Sequence, residues 1–475
     1  MHKLPRFGLF AFLFVLSLAL ACQAASLGSN PPAVEVLSPA ASEAPQATLT
    51  ATLLPSPTAS PTLTASPTPL PPSLTPTATL TPTPTVFVTP SALQLSVFED
   101  LWQTVRDDYL YADFNGLDWE AVGDEYEVRV KAGMTDADFY AAMDEMISRL
   151  GDDHSAYLSP EQVSEEDAEF AGENDYVGIG VLTTLVPDRE RVVILLVFPG
   201  SPAEGAGLAS HDSILAVDGN PILDEAGFHR EYLRGPEGST IEVTVQTPGE
   251  APRQVTIARQ RVTGSLPVPY EVLTSSEGKR IGYILLASFA DDTVDDQLGE
   301  ALRSLTADEP LDGLILDNRQ NGGGADVVAR GALSYFTRGI VGHFVSRGQE
   351  KRGLNVIGAD INGSSNLPLV VLVGPNTVSF GEIYSGVLRD MGRATVIGDV
   401  TGGNVELLRG YDFEDGSRAW IAHENFRPRN NPEQDWEETG IIPDLTVASN
   451  WDEVTLLTDP VIQTALDFLD GNAQP

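Results

Sequence analysis

The stretch "LPLVVLVGPNTVSFGEIYSGVLRD", residues 367–390, constrains this chain more than any other. Leu369 to Val373 are all apolar, so a strand there is covered on both faces. A helical pattern follows after a short junction, and Ser379 sits in that junction. A buried strand leading into a helix is the repeating unit of an α/β core. "IGYILLASF", "LDGLILDNRQNGGGA" and "ATVIGDVTGGN" repeat the theme from about residue 282, and "RAWIAHENF" adds a strand. Ser379 has two readings of equal standing on local sequence. It is a helix N-cap, or it is a nucleophile whose hydroxyl lies near free helix N–H groups that favour negative charge.

The other end of the chain says where such a core works. His2, Lys3 and Arg6 precede an apolar run from Phe7 to Ala21, the layout of a secretory signal over residues 1–21. Cys22 is the only cysteine, so no intramolecular disulfide can form. A lone cysteine after a small-residue site resembles a bacterial lipoprotein signal, with Cys22 lipidated and the protein exported onto the cell envelope. Ala19 stands where leucine is usual, and plain cleavage after Ala21 is the alternative. Residues 22–92 are dominated by Thr, Pro, Ser and Ala and read as a disordered, semi-rigid stalk. The net charge of -40 leaves no basic footprint for nucleic acid.

Residues 93–168 read as a helical segment. Val97, Leu101, Trp102, Val105 and Tyr109 share one helical face. A second helix begins at the Thr135–Asp138 capping pattern, with Phe139, Met143, Met146 and Leu150 inward. Residues 169–263 are strand-rich, with "YVGIGVLTTL", "ERVVILLVF", "STIEVTVQT" and "RQVTIAR" as strands and "FHREYLR" as a helix. With "SPAEGAGL" and "DSILAVDGNPI", this order resembles a PDZ domain. The resemblance makes Gly178, Ile179, Gly180 and Val181 the carboxylate loop for a peptide C-terminus that adds as a strand. Residues 264–475 form the α/β domain.

Two further segments bear on Ser379. In "LDNRQNGGGA", three glycines after a buried strand suit either an oxyanion-binding loop or a simple turn. In "LGDDHSAY", His154 is the one histidine of six in a polar turn directly after a helix. On these blocks the chain from Val97 onward resembles the C-terminal-processing (tail-specific) peptidases, serine endopeptidases with a PDZ domain before a crotonase-like α/β core. "SFGEI" matches the family's nucleophile block at Ser379, and "DNRQNGGG" matches its glycine block. The resemblance implies oxyanion donors at Gly323 or its neighbour and at Phe380. The family lysine falls on Asn404, whose carboxamide cannot accept a proton. Of the chain's lysines, Lys3, Lys131, Lys279 and Lys351, none follows Ser379. A Ser-His-Glu branch that includes the tricorn-type proteases is matched better. It implies His154 as base and Glu437 as orienting acid, with Glu438 the alternative, and no metal or cofactor. The partners expected are peptides with accessible C-termini and, through the lipid, a membrane. The rival reading is an inactive homologue that only binds peptides.

Overall fold

The computed structural model describes residues 89–474, apart from Asp153 and Ala226. The signal segment, Cys22 and nearly all of the Thr/Pro tract lie outside the described residues. Six strands form the central sheet, in the order Tyr270–Thr274, Arg280–Leu285, Gly313–Asp317, Leu369–Val373, Thr395–Gly398 and Leu445–Thr446. Only the first pair is antiparallel. The all-apolar strand sits mid-sheet because both its faces are covered. Val371 and Val373 join a core with Ile383, Val387 and Leu388 of helix Phe380–Asp390. Val370 and Leu372 meet Val461, Ile462 and Leu466 of helix Pro460–Asp470. Each fully buried side chain of this kind contributes roughly 1.5–3 kcal/mol. Three adjacent parallel strands end at Asp317, Val373 and Gly398, so the loops that follow them share one edge of the sheet, where α/β folds bind ligands.

A second, antiparallel sheet runs Ala156–Leu158, Arg418–Pro428, Gly339–Ser346, Lys351–Val356, with Glu406–Asp412 also paired to Arg418–Pro428. Lys351 therefore opens a strand. Helices Ala92–Asp108, Trp119–Lys131 and Asp136–Ser148 pack on this sheet, where Leu101, Tyr126, Phe139 and Met143 meet Trp420 and Ile421. Thr135 caps the last of these helices, accepting from the Asp138 amide at 3.1 Å. The middle helix, "WEAVGDEYEVRVK", has no clear signal in sequence, since glycine and three valines lower its propensity. Packing fixes it: a Cβ on Gly123 would lie 2.4 Å from Trp102 Nε1. Ala156–Leu158 ties the helical segment into the sheet and sets the turn containing His154 at its edge.

The PDZ-like module is a sheet in the order Val181–Val186, Arg191–Val197, Ser213–Val217, Thr240–Gln246, Arg253–Ala258, joined to the core by the ribbon Asn174–Gly178/Gln260–Gly264. "FHREYLR" is not helical. His229 bridges Leu223 and the Arg230 amide donates to Ile222 O, so strand-like pairing takes the bonds a helix needs. Arg191–Val197 is buried on both faces. Val192 and Ile194 fill the module's own core, while Val193 and Leu195 join the core under the central sheet. His211 stacks on Trp451 at 4.1 Å, and its Nδ1 lies 2.8 Å from Trp451 O.

Candidate active site

Ser379 precedes helix Phe380–Asp390 with φ 53 and ψ -130, a conformation sparsely populated by residues other than glycine. Its hydroxyl makes no capping hydrogen bond to the helix. The N-cap reading thus loses its defining contact, and the strained backbone holds the residue at the mouth of the helix, 6% exposed. The Ser379 amide donates to Asn404 O at 2.6 Å, tying the serine to the next loop along the sheet edge.

The glycine loop lies directly against this serine. Gly323 has φ +90, and a Cβ there would come 2.6 Å from Ser379 Cβ and 3.1 Å from the Phe380 nitrogen. Only glycine fits so close an approach. The Gly323 amide donates to Asn321 Oδ1 at 2.8 Å, so it is engaged within its own loop, whereas among the described residues no hydrogen bond takes up the Phe380 amide. The loop is held from behind by Arg319, whose guanidinium pairs with Asp317 and Asp459.

The third loop, after Gly398, is organised by Glu382 from the first turn of the helix. Its fully buried carboxyl accepts from the Gly403 amide at 2.9 Å, the Asn404 amide at 2.7 Å and the Thr401 hydroxyl. Burial outweighs these donors and pushes its pKa up to about 7. Asn404 stands beside the serine through its carbonyl. Among the described lysines, Lys131 pairs with Glu127 on an exposed helix, Lys279 bonds to Leu469 O, and Lys351 is exposed on an outer strand. None reaches this site.

His154 lies in the turn that precedes strand Ala156–Leu158. Asp152 accepts from the His154 amide at 3.1 Å and from the Ser155 amide at 2.5 Å, which closes the turn. Ser155 Oγ receives the Ala422 amide at 3.1 Å and pins the turn to the antiparallel sheet. His154 is 6% exposed, and its Nε2 lies 3.7 Å from Glu437 Oε1, an ion-pair distance too long for a hydrogen bond. Burial lowers the imidazole pKa, but Glu437, then Glu406 and Asp152, outweigh it and hold it above the ordinary value. Glu437 Oε2 accepts the Val405 amide at 2.6 Å, so the acid is fixed one residue from Asn404. Glu438 is exposed, so Glu437 is the one of the two that faces the histidine. Among the described residues no hydrogen bond links His154 to Ser379.

Sequence reasoning missed Glu406 and Tyr111. Glu406 opens the strand after Asn404, is 4% exposed, and accepts from the Tyr111 hydroxyl. Burial, with Glu437 nearby, pushes its pKa up to about 7. An acidic residue between Val405 and Leu407, in an apolar run at the start of a strand, is the signal that was available. In the PDZ-like module, Gly178 ends one strand and Val181 begins the next. Ile179 is buried, and Gly180 O accepts the Phe198 amide and Ser201 Oγ.

A strained serine at a helix N-terminus with a glycine loop pressed against it, on an α/β scaffold, has the form of a serine nucleophile site. A domain model described as Peptidase family S41 matches residues 280–447, one for the tricorn protease C1 domain matches 92–148, and one for a PDZ domain matches 177–257. The carboxyl-terminal-processing protease of Synechocystis sp. is 31% identical over 81% of this chain and 89% of its own length. A chloroplastic carboxyl-terminal-processing peptidase of Arabidopsis thaliana is 28% identical over 73% of this chain and 68% of its own. Among solved structures, a photosystem II D1 C-terminal processing protease aligns with TM-score 0.52 and 27% identity over 75% of this chain and 93% of that one. An S41 protease from Bacteroides fragilis shares the fold at TM-score 0.50 and 18% identity, over 79% of this chain and 97% of that one. The chain belongs to peptidase family S41, the carboxyl-terminal-processing proteases.

Proposed function

We propose that this peptidase works through Ser379, His154 and Glu437 rather than through a serine–lysine pair. The contact between His154 and Glu437 carries the reading. It supplies a base and its acid beside a loop where Asn404 cannot accept a proton and no described lysine reaches. His154 takes the Ser379 proton as Oγ attacks the scissile carbonyl carbon. The imidazolium, stabilised by Glu437, returns the proton to the leaving amine as the C–N bond breaks. Water then hydrolyses the acyl-serine by the same route. The Phe380 amide at the helix N-terminus is one oxyanion donor, and the glycine loop supplies the second once Gly323 leaves Asn321. In the resting arrangement His154 and Ser379 are not hydrogen-bonded, so turnover requires their approach.

The substrates are protein C-terminal segments. Among the described residues Val181–Val186 is an edge strand that pairs with Arg191–Val197 alone, and a peptide adds along it toward the loop Gly178–Val181. Residues 1–92 supply the export signal, the Cys22 lipid anchor and a stalk that holds the peptidase outside the membrane. A fluorophosphonate probe is expected to label the wild-type chain and not Ser379→Ala. His154→Ala is expected to lower kcat/KM by roughly 10³-fold or more. Full activity in His154→Ala with none in Ser379→Ala would remove histidine from the mechanism.

A further inference from the structure

The cluster around His154 contains one more acid than a triad uses. A ligand atom from each of His154, Glu406 and Glu437 lies within 4.8 Å of the other two. Two of these side chains are more than nine-tenths buried, and each has a polar atom without a partner: His154 Nε2 and Glu406 Oε2. Leaving such atoms unpaired is costly, and native interiors rarely do so without a reason.

The partners that do exist are arranged in a particular way. Glu406 Oε1 is taken by the Tyr111 hydroxyl, leaving Oε2 free. Glu437 Oε2 is taken by the Val405 amide, leaving Oε1 facing His154 Nε2 at 3.7 Å. Each carboxylate is thus oriented by a donor on one oxygen, and each has an oxygen within 4.8 Å of an imidazole nitrogen. This is the outer support that metal-binding carboxylates have. A tetrahedral zinc with bonds of about 2.0–2.2 Å needs its donors about 3.3–3.6 Å apart. The His154–Glu437 separation meets that after a shift of a few tenths of an ångström. One imidazole and two carboxylates balance a divalent charge and suit zinc or a neighbouring transition ion better than calcium or magnesium, which prefer all-oxygen sites.

We propose that His154, Glu406 and Glu437 form a zinc-binding site that switches the peptidase off. The inhibitory part rests on the Ser-His-Glu reading: zinc on Nε2 leaves the ring's single proton on Nδ1, so neither imidazole nitrogen keeps a lone pair to accept the Ser379 proton. The zinc site itself does not depend on it. Three protein donors leave one position of a tetrahedron for water. Tyr111 acts as a positioning residue through Glu406.

Two measurements on the untagged, chelator-treated full chain separate these parts. Calorimetric titration with zinc chloride should show one zinc bound per chain at micromolar concentration or below. Glu406→Gln should weaken binding at least tenfold. Tyr111→Phe, which leaves all three donors in place, should weaken it by a smaller factor, and Ser379→Ala should bind as the wild type does. Peptide hydrolysis by the wild type should fall with the same zinc dependence and recover on adding chelator. Equal zinc binding by the wild type and Glu406→Gln, or none by the wild type at micromolar zinc, overturns the site. Peptide hydrolysis that survives His154→Ala, with zinc still bound by the wild type as expected, sinks the catalytic triad and leaves the zinc site standing.

Discussion

One buried ionic cluster braces the glycine loop beside the nucleophile and another gathers around His154, and they are built to opposite rules. Around Arg319 every charge is answered. Its Nε and Nη2 bond to Asp317, and its Nη1 bonds to Asp459 at 2.5 Å and Ser449 at 3.0 Å. Asp317 also accepts from Tyr283, and Asp459 from the Val461 amide. Around His154 three titratable groups converge, yet His154 Nε2 and Glu406 Oε2 have no partner. The first cluster is a brace, fixing the start of the glycine loop against the final helix. The second keeps reactive atoms free, and carries the desolvation cost of doing so. Closure marks structure here, and incompleteness marks chemistry.

The largest effect that sharpens this contrast is on the closed side. Arg319→Leu strands two buried carboxylates and should lower unfolding stability by about 3–5 kcal/mol. Arg319 lies over Trp451, 5.0 Å from the ring centroid, so tryptophan fluorescence during urea denaturation reads the loss directly. A midpoint within error of the wild type would mean that the brace contributes nothing net, and the contrast would fail.

Glu382 gives the next effect, and its direction follows from pH. Its carboxyl is raised from 4.5 to about 7 in the fold. Between those values the unfolded chain has lost a proton that the native chain keeps. Its contribution to stability is therefore greatest below the unfolded value and is lost as pH rises to about 7, by about 3 kcal/mol in all. Thermal or urea unfolding of the wild type and Glu382→Gln from pH 4.5 to 8 tests this. The difference between them should narrow as pH rises, because the variant lacks the titration. The variant also sets an amide N–H against the Asn404 amide, which adds a constant penalty. A pH-independent difference would show that the loop donors keep Glu382 ionised throughout.

How much of this was legible beforehand depends on how far apart the partners lie in sequence. The mid-sheet strand Leu369–Val373 and the Thr135 cap are local patterns, and both follow the expected physics. The junction at Ser379 was legible as a position, but its φ of 53 and its uncapped helix were not, because they come from the loops around it. Glu406 was invisible for a different reason. Its hydroxyl partner Tyr111 is 295 residues away, and strand periodicity gives a face without saying what the face meets. "FHREYLR" failed because its apolar spacing suits a helix while pairing with Ile222 and Leu223 offers its backbone a better arrangement.

The smallest expected effect has the opposite sign, and it tests the open cluster where it differs from the closed one. Glu406→Gln removes a buried carboxyl whose ionised form burial and Glu437 oppose and His154 supports, and keeps the Oε1 that accepts from Tyr111. The new amide N–H₂ has the Glu437 carboxylate nearby as an acceptor, so the position that held an unpaired oxygen becomes a donor with a partner in reach. Removing the charge should raise unfolding stability by about 1 kcal/mol in metal-free buffer, since a buried ionised group in an incomplete network is worse than a neutral one that is paired. Urea unfolding at neutral pH with chelator present measures it. A gain here beside a loss at Arg319 would mean that the chain gives up stability at His154 to keep those atoms free. A loss of more than about 1 kcal/mol would mean that Glu406 is a structural acid like Asp317, and the distinction between the two clusters would collapse.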